Sequence, residues 1–158
     1  TTIYAMNFNF AYKNFDLGIN FNGVAGNKVF NHVALSIFNK GNLSNSLNTT
    51  ALAVEFPNED VSNSNRVSTR YLEDGDFLRL NNATLGYNFD LKRLGIGQCV
   101  KNIRLSITGQ NLLLFTNYSG FDPEFNTGSS IGDIQTFGID YFSYPRGRTF
   151  LFGLDVNF

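Results

Sequence analysis

Thr149-Phe-Leu-Phe-Gly-Leu-Asp-Val-Asn-Phe158 closes the chain, and its reading decides the fold. A β-strand points successive side chains to opposite faces. Phe150, Phe152, Leu154, Val156 and Phe158 therefore share one face, and Thr149, Leu151, Gly153, Asp155 and Asn157 share the other. One face is wholly apolar and its opposite is mostly small or polar. In a soluble sheet the apolar face is buried against a core. In an outer-membrane barrel it is the exposed face, because lipid lies outside and water inside. A last strand that ends on an aromatic residue with no tail favours the barrel.

The composition keeps both possibilities open. Phe occurs 17 times and Tyr 7 times, Trp is absent, and charged residues make up 16% of the 158 residues, against roughly 25% in average soluble domains. Alternating barrel strands joined by Asn-rich loops produce this balance, and so does an all-β sandwich. The net charge is −1 and the chain has no basic patch, which gives nucleic-acid binding no electrostatic basis. The longest apolar runs, such as Leu112 to Phe115, fall far short of the roughly 20 residues of a membrane helix. There is no secretory signal pattern. The opening Thr-Thr-Ile-Tyr, without Met and already within a strand pattern, reads as a processed or incomplete start. Cys99 and His32 are each the only residue of their type. One Cys and one His cannot supply a zinc site, and Cys99 is read as a passive thiol near a turn.

Working back from the last strand, the alternation predicts five strands, at about residues 3–12, 15–25, 76–89, 102–113 and 148–158. Tyr4, Met6, Phe8, Phe10 and Tyr12 share a face, as do Phe15, Leu17, Ile19 and Phe21 across the tight Lys13–Asn14 connection. This is the pattern of an antiparallel hairpin. Ala83, Leu85, Tyr87 and Phe89 share a face in the third strand, but Leu78 and Leu80 have the opposite parity. Either the chain bulges near Asn81–Asn82, or Leu78 and Leu80 point to the other side. Alternation vanishes between Ala25 and Tyr71, where residues 27–39, with Val33, Leu35 and Ile37, suit a short helix.

The connections run short, long, short, long. With the last strand descending to the periplasm, both short connections become periplasmic. The long ones, about 26–75 and 116–147, become extracellular. Membrane barrels show this asymmetry. Five strands do not close such a barrel, which in single-chain bacterial examples uses even numbers from eight upward. An open sheet would leave unpaired edges in hydrocarbon. The barrel reading thus makes residues 1–158 the C-terminal part of something larger.

Several stretches carry a family resemblance. Tyr71-Leu-Glu-Asp-Gly-Asp-Phe-Leu-Arg-Leu-Asn-Asn-Ala-Thr-Leu-Gly-Tyr87 is one, and Gly109-Gln-Asn-Leu112 followed by Tyr118-Ser-Gly-Phe-Asp-Pro-Glu124 is another. Gly138-Ile-Asp-Tyr141, leading to Tyr144-Pro-Arg-Gly-Arg-Thr-Phe150, is a third. With Tyr12-Lys-Asn-Phe-Asp-Leu17 and Gly26-Asn-Lys28, they resemble SusC/RagA-type TonB-dependent outer-membrane transporters in order and spacing. The resemblance is weakest across residues 33–65. It implies an all-β fold, a transmembrane antiparallel β-barrel of 22 strands closed by a plug, of which this chain supplies the last five; a barrel of that size has a plugged lumen. It implies active import of oligosaccharides or peptides, a SusD-type surface lipoprotein as lid, and coupling to TonB through an N-terminal part that this sequence lacks. It also implies that Phe158 is a recognition element for the outer-membrane assembly machinery.

Tyr12, Phe15, Phe89 and Phe158 all fall at expected periplasmic strand ends and are assigned to an aromatic membrane girdle. Tyr141, Phe142 and Tyr144 are the candidates for substrate contact, since loop aromatics stack on sugar rings or pack on a partner; they also suit anchoring of their own loop. Asp122 and Glu124 flank Pro123 and are read as loop-structuring. Glu73, Asp74 and Asp76 are read as a solvated loop end near Arg70 and Arg79, and Arg146 and Arg148 as partners of carboxylates within the protein. No nucleophile, base or metal constellation is legible, so neither enzyme activity nor a cofactor is expected. The inward Asn7, Asn9, Asn20, Asn22, Asn82, Thr84, Asn88 and Asn157 would wet a lumen. Two rival functions remain: a soluble carbohydrate-binding β-sandwich, and a passive porin-like channel.

Overall fold

Alternation of apolar and polar side chains becomes register in the computed structural model, which describes residues 1–38, 51, 58, 60, 66–91, 100–125, 130–131, 134–135 and 138–158. Cys99 lies outside the described residues, as does most of the turn around it. Five long strands form one antiparallel sheet: β1 (Thr2–Tyr12), β2 (Phe15–Ala25), β5 (Phe77–Asn88), β6 (Asn102–Thr116) and β10 (Thr149–Asn157), side by side in that order. Between them lie β3 (Lys28–Asn31), α1 (His32–Ile37), a 3-10 turn at Thr69–Tyr71, β4 (Leu72–Asp74), β7 (Ser130–Ile131), β8 (Ile134–Gln135) and β9 (Ile139–Asp140). The chain divides into two compact units. One comprises Thr1–Ala25, Phe77–Thr116 and Arg146–Phe158, and the other Gly26–Asp76 and Asn117–Pro145.

In the first unit, β1 and β2 pair from Thr2↔Ala25 to Tyr12↔Phe15 without a break. The two-residue turn between them is made by Lys13, at φ 53°, and Asn14. The parity problem in β5 is resolved by a bulge. Asn20 pairs with Asn82 and Phe21 with Leu80, leaving Asn81 without a register partner on β2. Toward β6 the same point sets Asn81 against two residues, because Leu80 pairs with Leu113 and Asn82 with Gln110. An extra residue reverses which face the following side chains take. Leu78 and Leu80 thereby join Leu85 and Tyr87 on the apolar face. The bulge also lets the Leu112–Phe115 run stay in the sheet, so β6 continues to Thr116 rather than ending near residue 113.

Two glycines permit close packing on this sheet. Tyr4 lies opposite Gly23, and its hydroxyl donates to the Phe77 carbonyl two strands away at 3.2 Å. A Cβ on Gly23 would sit 2.5 Å from both that carbonyl oxygen and the Tyr4 ring. At Gly109 a Cβ would come within 2.6 Å of the Leu112 side chain folded over it.

The apolar face is uncovered: Phe152 is 81% exposed and Leu154 64%. The opposite face carries rows of polar groups. Asn7, Asn20, Asn82 and Gln110 are register neighbours across four strands, and the Asn20 amide donates to Asn7 at 2.5 Å. Thr84 and Thr108 bond through their hydroxyls at 2.9 Å. Arg104 pairs with Asp16 at 2.6 Å, directly over Gly86, where any Cβ would collide with both side chains.

The second unit is built on a three-stranded sheet in the order β4-β3-β9, with β3 antiparallel to β4 and parallel to β9. Ala34, Leu35, Phe38 and Tyr71 form its small core, with Phe30 packed against them. The short helix expected within residues 27–39 is α1. Lys28–Asn31, the start of that stretch, is instead strand β3, too short to display an alternation.

Candidate functional site

Asn31 is the organising residue of the second unit. It is 2% exposed, and its side chain accepts from the Ala34 N–H at 2.8 Å as the N-cap of α1. Its amide nitrogen donates to Glu73 Oε1 at 2.9 Å and to Ser119 Oγ at 3.2 Å. Glu73 also accepts from the Ser119 N–H and hydroxyl, each at 2.8 Å. One amide and one carboxylate thus join β3, β4 and the segment after Asn117. The neighbouring acids serve the same region. Asp74 pairs with Lys28, and Asp76 accepts from the Asn27 N–H at 2.8 Å. Backbone N–H groups of Asn27 and Gly26 hold the Asp76 carboxyl below the usual aspartate range. Asp122 is buried and accepts from the Glu124 N–H at 2.9 Å, closing a turn around Pro123.

A second network presents the aromatic loop. Asp140, 3% exposed, accepts from the Tyr118 hydroxyl at 2.7 Å and from the Ser143 N–H at 3.2 Å. It caps the turn containing Phe142, which adopts φ 56°. That region is rare for a bulky side chain, and a residue held there is characteristically over-determined by its surroundings. Tyr141 packs on His32 with ring centres 4.4 Å apart and planes tilted by 34°, and Phe142 meets His32 edge-on at 6.4 Å. Tyr141 and Phe142 remain half exposed, and Tyr144 is 94% exposed. The structure therefore brings Tyr141 and Phe142 together, adds His32 to them, and leaves Tyr144 projecting. His32 was missed because it is distant in sequence and packs onto Tyr141 only through the parallel pairing of Phe30 with Ile139.

Burial raises the Tyr118 phenol, and its bond to Asp140 adds to this. A raised folded value means that this stabilisation is complete below the ordinary tyrosine value, near 10, and is lost as pH rises past it. Absorbance of tyrosinate at 295 nm provides the check. Wild type and Tyr118→Phe are expected to titrate with equal amplitude up to about pH 11 and to differ by one residue once the loop unfolds. A difference of about half a residue already at pH 10, which an ordinary phenol gives, would contradict the burial of this phenol.

The girdle candidates lie at one end of the five-stranded sheet. Tyr12 pairs with Phe15 in register, and the backbone bond from Phe89 N to Ile103 O places Phe89 at the same end. Phe158 follows Asn157, whose carbonyl accepts from Lys101 there. Tyr87, which the sequence reading left out of this group, packs between Phe15 and Phe89, with ring centres at 4.7 and 5.0 Å.

Among the described residues, no group of three or more His, Cys, Asp or Glu side chains is placed to hold a metal ion, and no helix is long and apolar enough to cross a membrane. A sheet with one exposed apolar face, one polar face and aromatic residues at one end has the build of a transmembrane barrel wall.

Comparison with known proteins names the family. The chain is 35% identical over 166 residues to TonB-dependent receptor P3 of Formosa agariphila, covering 100% of this chain and 16% of that protein. It is 32% identical over 157 residues to TonB-dependent receptor SusC of Bacteroides thetaiotaomicron, covering 93% of this chain and 14% of that protein. Its fold matches the RagAB peptide importer in the open-open state with a TM-score of 0.79 at 22% identity, over 99% of this chain and 17% of that one. No protein-family model matches. The chain belongs to the SusC-like TonB-dependent receptors, which are outer-membrane β-barrel proteins. It spans about a sixth of the length of the curated relatives it matches.

Proposed function

We propose that this chain is the C-terminal wall and loop segment of an active outer-membrane importer of oligosaccharides or peptides. The observation that carries the reading is the two-faced five-stranded sheet on a SusC-like sequence. The segment does no covalent chemistry and is not an enzyme. In the full receptor, a barrel of 22 strands, its long connections face outward beneath a SusD-type lipoprotein. TonB acts on an N-terminal part, and the polar rows line the lumen. Tyr12, Phe15, Phe89 and Phe158, with Tyr87, form the periplasmic girdle that seats the wall in outer-membrane lipid.

The test is uptake of fluorescent oligosaccharides and peptides by cells with and without the receptor, each with and without a proton uncoupler. Uptake of one of the two ligand classes that needs both receptor and proton gradient is expected. Receptor-dependent uptake that survives the uncoupler is the behaviour of a passive channel, and it would overturn the reading.

Within that importer, Tyr141 and Phe142, packed against His32, form an aromatic platform for the arriving substrate, with Tyr144 beside them. Tyr141→Ala and Phe142→Ala are expected to raise the half-saturation concentration about 3- to 10-fold, the size of one lost ring contact, with little change in maximal rate. An unchanged half-saturation concentration in both variants would remove the platform from the substrate path and leave it as a loop anchor.

A further inference from the structure

We propose that Asn111 is a positioning residue that latches the chain entering β10 onto the bulge in β6. The long connection after β6 leaves the sheet at Thr116 and returns through Arg146 and Gly147. The Asn111 amide nitrogen donates to the Arg146 carbonyl at 2.8 Å and to the Gly147 carbonyl at 3.5 Å. Its amide oxygen accepts from the guanidinium of Arg79 on β5. Arg79 is 1% exposed, and its guanidinium lies 5.6 Å from the centre of the Phe77 ring.

Three properties of Asn converge at this point. It tolerates the left-handed backbone that the bulge requires, here φ 53°. It accepts one bond and donates others from a single planar group. Its side chain is short, so a bond to a buried cation on β5 fixes where its donors point. Arg79, Asn111 and Arg146 come from three of the sequence stretches that carry the family resemblance, and here they form one hydrogen-bonded path across β5, β6 and the entry to β10. Arg146 and Gly147 precede Thr149, the first residue of β10 in register with β6. The latch ties the returning chain to β6 before pairing begins.

Arg146 and Arg148 are exposed trypsin sites on the latched segment, so cleavage there reports its release. The experiment uses the intact receptor in outer-membrane vesicles, with unboiled electrophoretic mobility showing that the barrel stays folded. Asn111→Asp keeps the left-handed backbone and the acceptor for Arg79 but cannot donate to the two carbonyls. Asn111→Gly keeps the backbone and loses the whole side chain. Both are expected to be cut after Arg146 or Arg148 about 10-fold faster than wild type, the change that one lost hydrogen bond produces. Cleavage of Asn111→Asp at the wild-type rate would overturn the latch, whatever the glycine variant does. Neither result depends on what the receptor imports.

Discussion

Ile19→Arg should destabilise the folded barrel by about 2–4 kcal/mol, the cost of a guanidinium facing lipid near the bilayer midplane. Ile19 occupies the third apolar row counted from the aromatic end, flanked by Phe8 on β1 and Ala83 on β5. Two rows lie between it and each end of the apolar band. On the polar face one row away, Asn9→Arg should change stability by about 0.5 kcal/mol or less, as exposed positions do. Ile19→Phe separates lipid from a protein core. A close-packed core resists the added volume at about 1–3 kcal/mol, whereas fluid lipid yields to it, so the phenylalanine variant should match or exceed wild type. Urea unfolding of the receptor in lipid vesicles measures all three. A phenylalanine variant as damaged as the arginine one would place Ile19 in a packed interior and revive the sandwich.

Asn31→Ala should be the most damaging single change in the second unit. It removes the cap of α1, worth about 1 kcal/mol, and deprives Glu73 and Ser119 of a donor in a buried setting, at about 1–3 kcal/mol. Among the described residues, the helix it caps is only six residues long and the cluster beside it holds four buried side chains, so the loss of these bonds falls on a small structure. Amide hydrogen exchange is the measurement. Protection across β3, β4 and α1 should fall by roughly 30-fold or more, corresponding to about 2 kcal/mol or above, while β1, β2 and β5 keep theirs. Asn31→Asp should fall between the two, since it retains the cap but loses both donations and sets a second carboxylate against Glu73. Equal protection in the alanine variant and wild type would show that the small sheet is held by other means.

The large sheet was legible because its strands are long. β1 and β2 each carry 11 residues, enough for alternation to stand clear of chance, and the paired faces follow from it. The bulge was legible only as one of two options. Parity shows that Leu80 and Ala83 disagree, but only the pairing of Leu80 with Phe21 shows that the chain, rather than the face, changes. The small sheet was not legible. Strands of two to four residues give no periodic signal, and the parallel contact between Phe30 and Ile139 joins distant segments. The aromatic trio Tyr141, Phe142 and Tyr144 stood out by composition. Its contact with His32 depends on that non-local pairing, and its support by Asp140 rests on a Tyr118 hydroxyl 22 residues away that no local pattern announces. The carboxylates Glu73 and Asp76 were visible as a cluster, but their hydrogen-bond donors, on Asn31, Ser119 and Asn27, lie far away in the chain.

The bulge at Asn81 also acts on assembly. A strand with strict alternation can slide by two residues along its neighbour and still match face to face. A strand carrying one extra residue cannot, because a slide moves the irregularity away from its counterpart on β6 and sets the side chains between the two on mismatched faces. Asn81 and Asn111 therefore work as key and keyway. As β5 and β6 zip together, a single alignment puts Leu78, Leu80, Leu85 and Tyr87 on the lipid side at once, and that alignment is propagated to every strand added after it.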